Sequence, residues 1–187
     1  DVEKRSQRII ANGPLRTIVE VKDNGWRPDS TKEPIDMTTL YTLYAGHRDC
    51  SVDITFSRPA NGYRFCTGLI NVKNSTEYSD NKGLRGCWGK DWPVSAKDSI
   101  GHKQETVGLG IYIPENYVIK ELPADKDNYP FIVGTSTDRL HYDITFGSDN
   151  ENFGYHNSKE WFKYLSEWEK SFKTKRDNIT IKIKMVK

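Results

Sequence analysis

Apolar and polar residues alternate strictly in several separate stretches of the chain, and few folds tolerate that pattern. A period of two is the spacing at which a strand returns its side chains to the same face. Cys50, Val52, Ile54 and Phe56 alternate with Ser51, Asp53, Thr55 and Ser57. Leu140, Tyr142, Ile144 and Phe146 alternate with His141, Asp143, Thr145 and Gly147. Leu15–Lys22, Thr106–Ile113 and Ile179–Met185 repeat the pattern, and weaker strands are expected at Met37–Tyr44, Tyr63–Val72, Tyr117–Leu122 and Tyr129–Gly134. One-sided strands of this kind build antiparallel sheets. A single helix interrupts them. Asn157 and Glu160 form a capping pair, and Trp161, Leu165, Trp168 and Phe172 then follow at helical spacing, predicting a helix over Ser158–Phe172 with one apolar stripe. Asp23-Asn-Gly, Pro59–Gly62 and Ala124–Asn128 read as turns. The fold class is therefore mainly β: an antiparallel β-sandwich with one packed C-terminal α-helix.

At 187 residues the chain fits one domain, residues 1–187, with enough length to bury its own core. It starts without Met and runs in alternation to its last residues, which suggests the C-terminal part of a longer domain. With 28 basic and 26 acidic residues the formal charge is +2, so the footprint of a nucleic-acid binder is missing. No apolar run reaches transmembrane length. Cys50, Cys66 and Cys87 lack metal-ligand spacing, and neither Walker loop, dinucleotide fingerprint nor nucleophile elbow occurs; no cofactor and no metal are expected. The odd cysteine count allows one disulfide or three thiols. In a secreted chain the expected bridge joins Cys66 to Cys87.

Gly83–Glu105 shows neither helical nor strand periodicity, yet it holds Arg85, Trp88, Lys90, Asp91, Trp92, Asp98, His102, Lys103 and Glu105. Aromatic faces among polar groups suit a sugar, whose ring offers a C–H face and a rim of hydroxyls. The plainer reading is a long connection pinned by its tryptophans to the edge of a sandwich. In Ala45–Asp49, His47 and Asp49 share a strand face, so the carboxylate can orient the imidazole as a base, while Arg48 faces away unless a turn follows Gly46. A surface His–Asp pair is the structural alternative. His141 and Asp143 form a third pair on a wet strand face. Gly108 and Gly110 leave one strand face bare, for a ligand or for tight packing.

The segments Asn12–Glu20, Tyr44–Asp49 and Gly83–Trp92 resemble domain-of-unknown-function family 4861, secreted proteins of polysaccharide-degrading bacteria. The resemblance implies the C-terminal part of a supersandwich related to galactose mutarotase, a secreted or periplasmic location, and an oligosaccharide or polysaccharide as partner, with the N-terminal half of the same gene product beside it. Acidic, uronate-containing glycans are the expected substrates and β-elimination the expected reaction. In that reading His47 is the base, Asp49 its orienter and His102 the acid. Arg48, Arg85, Trp88, Lys90, Trp92, Lys103 and Glu105 then bind substrate. A non-catalytic carbohydrate-binding module, or a structural half of a larger protein, is the alternative. Hydrolysis by paired carboxylates among Asp91, Asp98 and Glu105 is less favoured.

Overall fold

A computed structural model describes residues 1–91 and 103–174, the Asp91 side chain excepted. Eight strands form one antiparallel sheet: β1 (Lys4–Asn12), β2 (Arg16–Trp26), β3 (Ile35–Tyr44), β4 (Asp49–Phe56), β6 (Thr76–Ser79), β7 (Leu84–Asp91), β8 (Glu105–Tyr112) and β11 (Arg139–Ser148), in the order β1-β2-β3-β4-β11-β8-β7-β6. The remaining three, β5 (Phe65–Ile70), β9 (Val118–Glu121) and β10 (Asn128–Val133), form a second antiparallel sheet in the order β5-β10-β9. The fold is mainly β, as the alternation predicts.

The small sheet lies across one face of the large one. Phe65, at one end of β5, packs on Trp26 and Phe56, with ring centroids 5.0 and 4.8 Å away. At the other end Leu69 packs against Val72, Cys87 and Tyr129. Between the layers Ile35, Phe56, Ile111, Ile113, Phe131, Val133 and Leu140 form the core, each at most 3% exposed.

Helix α1 (Ser158–Lys173) covers the opposite face over β7 and β8. Its cap is the one expected: the Glu160 N–H donates to Asn157 Oδ1 at 3.0 Å. Trp161, Leu165 and Trp168 are buried, with Trp161 donating its Nε1–H to the Leu109 carbonyl at 3.2 Å. The bare face of β8 is where this stripe seats. A Cβ at Gly108 would stand 2.5 Å from the Trp161 ring, and one at Gly110 would collide with Leu165. Tight packing, not a ligand, uses those glycines.

Three expectations change. Asp23-Asn-Gly is not a turn: β2 runs through it, with a register shift opposite β3 and Gly25 at φ 67°. Leu84–Asp91 is a strand, not loop, paired with β8 along its whole length. Its two faces are both covered, by helix and by small sheet, so its sequence does not alternate. Cys50, Cys66 and Cys87 are free thiols; Cys66 is exposed on β5 and Cys87 buried, so the expected Cys66–Cys87 bridge is not formed. The Ile179–Met185 strand lies outside the described residues. Among those described, no helix is long and apolar enough to cross a membrane.

Candidate functional site

Several connections gather at one end of the large sheet: the β3–β4 turn, the β11–α1 connection and the ends of β7 and β8. The β3–β4 turn is closed by the His47 N–H donating to the Tyr44 carbonyl at 3.1 Å, with Gly46 at φ 77°. The turn reverses the chain just before Asp49, so His47 sits over the start of β4. His47 Nδ1 lies 3.1 Å from Asp49 Oδ1, with His47 58% and Asp49 22% exposed in their side chains. The Asp49 carboxylate thus engages Nδ1, leaving Nε2 for a ligand.

Arg48 turns the other way and ties two connections together. Its guanidinium donates to Glu151 Oε2 at 2.8 Å and lies over the rings of Tyr155 and Tyr164, 5.2 and 5.8 Å from their centroids. Glu151 Oε1 accepts the Ser148 N–H at 3.1 Å, which fixes the carboxylate. The Tyr164 hydroxyl donates to Thr145 Oγ1 at 3.0 Å, and Thr145 reaches the Arg48 carbonyl at 3.5 Å. Burial pushes the Tyr164 phenol up to about 12, so it stays protonated at neutral pH. His47, Arg48, Asp49 and Tyr164, with exposed Phe146 and Phe153, line a cleft of about 720 Å³.

The same sheet face continues along β4 and β11. The register sets Asp49 opposite Thr145, Ser51 opposite Asp143, and Asp53 opposite His141. His141 donates through Nε2 to Asp143 and through Nδ1 to Asp53, each at 2.9 Å, and the Ser51 hydroxyl donates to Asp143 at 2.7 Å. Asp143 is 1% exposed. Its hydrogen bond to His141, reinforced by Asp53, pushes the imidazole up to about 9. Both ring nitrogens are thereby engaged. The third candidate pair is thus a closed network holding its histidine as a cation.

The residues expected to bind substrate separate. Arg48 joins His47 and Asp49 in the cleft. Arg85 does not: it is 2% exposed, donates to Glu77 at 2.7 Å and to the Leu122 and Pro130 carbonyls, and lies over Tyr129. It fastens the small sheet to the large one. Trp88 is 8% exposed, its ring 6.2 Å from Trp161, so it is core and offers no sugar platform. Lys90 and Lys103 are exposed where β7 ends and β8 begins, and Glu105 opposes Asp91 across the pair. Trp92, Asp98 and His102 lie outside the described residues.

Glu151, Phe153, Tyr155 and Tyr164 escape the sequence reading. Glu151 and Phe153 stand in an aperiodic connection without a motif. Tyr164 is hidden by the helix itself, although it stands three residues from Trp161 and so borders the apolar stripe. Among the described residues no cluster of three His, Cys, Asp or Glu is placed to hold a metal ion.

A search of curated proteins gives no match. The family model described as "Domain of unknown function (DUF4861)" matches residues 1–176, and the chain belongs to that family.

Proposed function

We propose that this chain handles acidic oligosaccharides in the sheet-end cleft, where His47 acts as a general base for β-elimination, and that it does so outside the cytoplasm. The single observation behind this reading is the His47–Asp49 pair at the mouth of a cleft that also holds Arg48 and exposed aromatic rings. Neutral His47 takes the proton α to the uronate carboxyl through Nε2. The electron pair left on carbon forms the C=C bond as the neighbouring C–O bond breaks. The imidazolium, held by Asp49, then returns its proton to the leaving oxygen. Arg48 neutralises the substrate carboxylate once that carboxylate displaces Glu151 from the guanidinium.

A second reading has one observation in its favour. Arg48 is already satisfied by Glu151, and a binding surface that stacks sugars on Phe146 and Phe153 needs no free cation. In that case the cleft binds glycan without turning it over.

One experiment separates the two. The protein is incubated with a panel of uronate oligosaccharides, and unsaturated product is followed by ultraviolet absorbance and mass spectrometry while affinity is measured by calorimetry. Under the elimination reading the wild type forms product. His47→Ala then abolishes turnover yet leaves affinity within a few-fold, because a base acts only as the proton moves. Binding without product across the panel establishes the second reading. Product formation by His47→Ala at the wild-type rate removes His47 from the chemistry.

A further inference from the structure

Thr39 is a polar residue on a dry strand face. Along β3 it alternates in phase with Ile35, Met37 and Tyr41. The register sets it opposite Ile54, which in turn opposes Leu140, so its row on the large sheet is otherwise apolar. Thr39 is 9% exposed, yet its hydroxyl has no hydrogen-bond partner among the described residues. A hydroxyl withdrawn that far from water normally has one, because desolvating it unpaired costs free energy.

Thr39 lines a slot of about 380 Å³ between the two sheets. The large sheet contributes Met37, Ile54 and Leu140, the small sheet Phe65 and Val133, and Trp26 packs on Phe65 beside them. Tyr142 of the large sheet interacts with Thr67 of the small one, so that polar pair is engaged. Arg64 lines the slot from its exposed side. Its guanidinium has no partner among the described residues, and no carboxylate of those residues lines the slot. The slot shares no lining residue with the sheet-end cleft.

We propose that the slot binds a small aromatic carboxylate that carries a hydroxyl. The ring lies between the sheets against Trp26 and Phe65, the hydroxyl pairs with Thr39, and the carboxylate meets Arg64 at the rim. Each part of that ligand matches one feature of the slot. A flat ring suits a space bounded by two sheets and lined with aromatic and aliphatic side chains. The volume falls at the lower end of small-molecule sites, about 300–1,000 Å³. Arg64 brings a positive charge with no acid beside it, which selects an anion. A sugar is disfavoured here, because the apolar lining offers few partners for its rim of hydroxyls.

The test titrates the full chain with 3-(4-hydroxyphenyl)propanoate, followed by ligand-observed NMR. The wild type should bind one equivalent saturably. Thr39→Val removes only the hydroxyl and should weaken this probe about fivefold, while binding of 3-phenylpropanoate, which lacks the ring hydroxyl, stays unchanged. Arg64→Gln should weaken the acid about threefold, since the rim is in water, and leave the probe's primary amide unaffected. Absence of saturation by about 10 mM overturns the proposal. An affinity that either slot variant leaves unchanged does so too, as does binding lost in Phe153→Ala, which moves the probe to the sheet-end cleft. Cys66, exposed on the rim, gives a readout that survives should Thr39→Val fail to fold. In a Cys50→Ser chain, saturating probe should slow the reaction of Cys66 with a maleimide. A Cys66 rate that the probe does not change overturns the proposal.

Discussion

The two ends of the large sheet are held by opposite means. At the β7–β8 end both faces are covered, one by α1 and one by the small sheet, and the strands carry small or apolar residues: Gly86, Cys87, Trp88, Gly108, Gly110 and Ile111. At the opposite edge almost every residue of β1 is exposed. There the strands are joined by their ladder and by cross-strand ion pairs, Arg5–Asp23 at 2.5 Å and Arg8–Glu20 at 2.7 Å, with Lys22 adding a contact to Glu20 at 3.6 Å. One end draws its stability from apolar area, the other from pairing in water. Interactions of the first kind are worth several times those of the second.

The sharpest way to break that comparison is at Trp161. Its ring is fully buried over Gly108 and packs against Tyr155 and Tyr164, with centroids 5.6 and 5.1 Å away. Trp161→Ala should cost about 3–5 kcal/mol in urea unfolding, because it removes apolar burial and leaves a cavity over a glycine that cannot fill it. Gly108→Val should also destabilise strongly, since its side chain needs the space the ring occupies. A loss under about 1 kcal/mol for Trp161→Ala would mean that the helix contributes little to the covered end.

His141 lies between the two ends and tests the intermediate case. Its folded value of about 9 stands above its ordinary one, so the network's contribution is complete below about pH 6.5 and is lost as pH rises through 9. With a third of the side chain exposed, screening reduces the effect to about 1–2 kcal/mol. Wild-type stability should therefore fall between pH 7 and 10 by more than that of His141→Gln. Parallel pH profiles for the two proteins would show that the network does not couple to folding.

The same comparison explains what was legible in the sequence. Alternation reports strands with one dry and one wet face, and β4 was readable for that reason; β11 alternates in the same way, although its polar Asp143 and Thr145 are buried and its Phe146 is exposed. β7 is dry on both faces and β1 wet on both, so neither alternates, and both were missed. Placing β7 in a loop then cast Arg85 and Trp88 as ligand contacts, although one is an interlayer clamp and the other is core. The His47–Asp49 pair was legible because a strand's phase carries two residues beyond its start. The Arg48–Glu151 contact was not, since it joins residues 103 apart through a connection whose path no local pattern encodes.

The smallest expected effect belongs to the open end, and its value lies in being small. Glu20 holds two cations at once, Arg8 at 2.7 Å and Lys22 at 3.6 Å, and the Arg8 hydrogen bond lowers its carboxyl below the ordinary carboxylate range. Both cations reach well into water. Their attraction is screened, and two long side chains must be ordered to make the contacts. Arg8→Gln should therefore leave the urea midpoint almost unchanged at low salt and indistinguishable from wild type at high salt, with the Glu20 backbone pairing to β1 intact by hydrogen exchange. A large loss of stability, or a loss that persists at high salt, would show that β1 is held by its side chains rather than by its ladder. The contrast between the two ends of the sheet would then disappear.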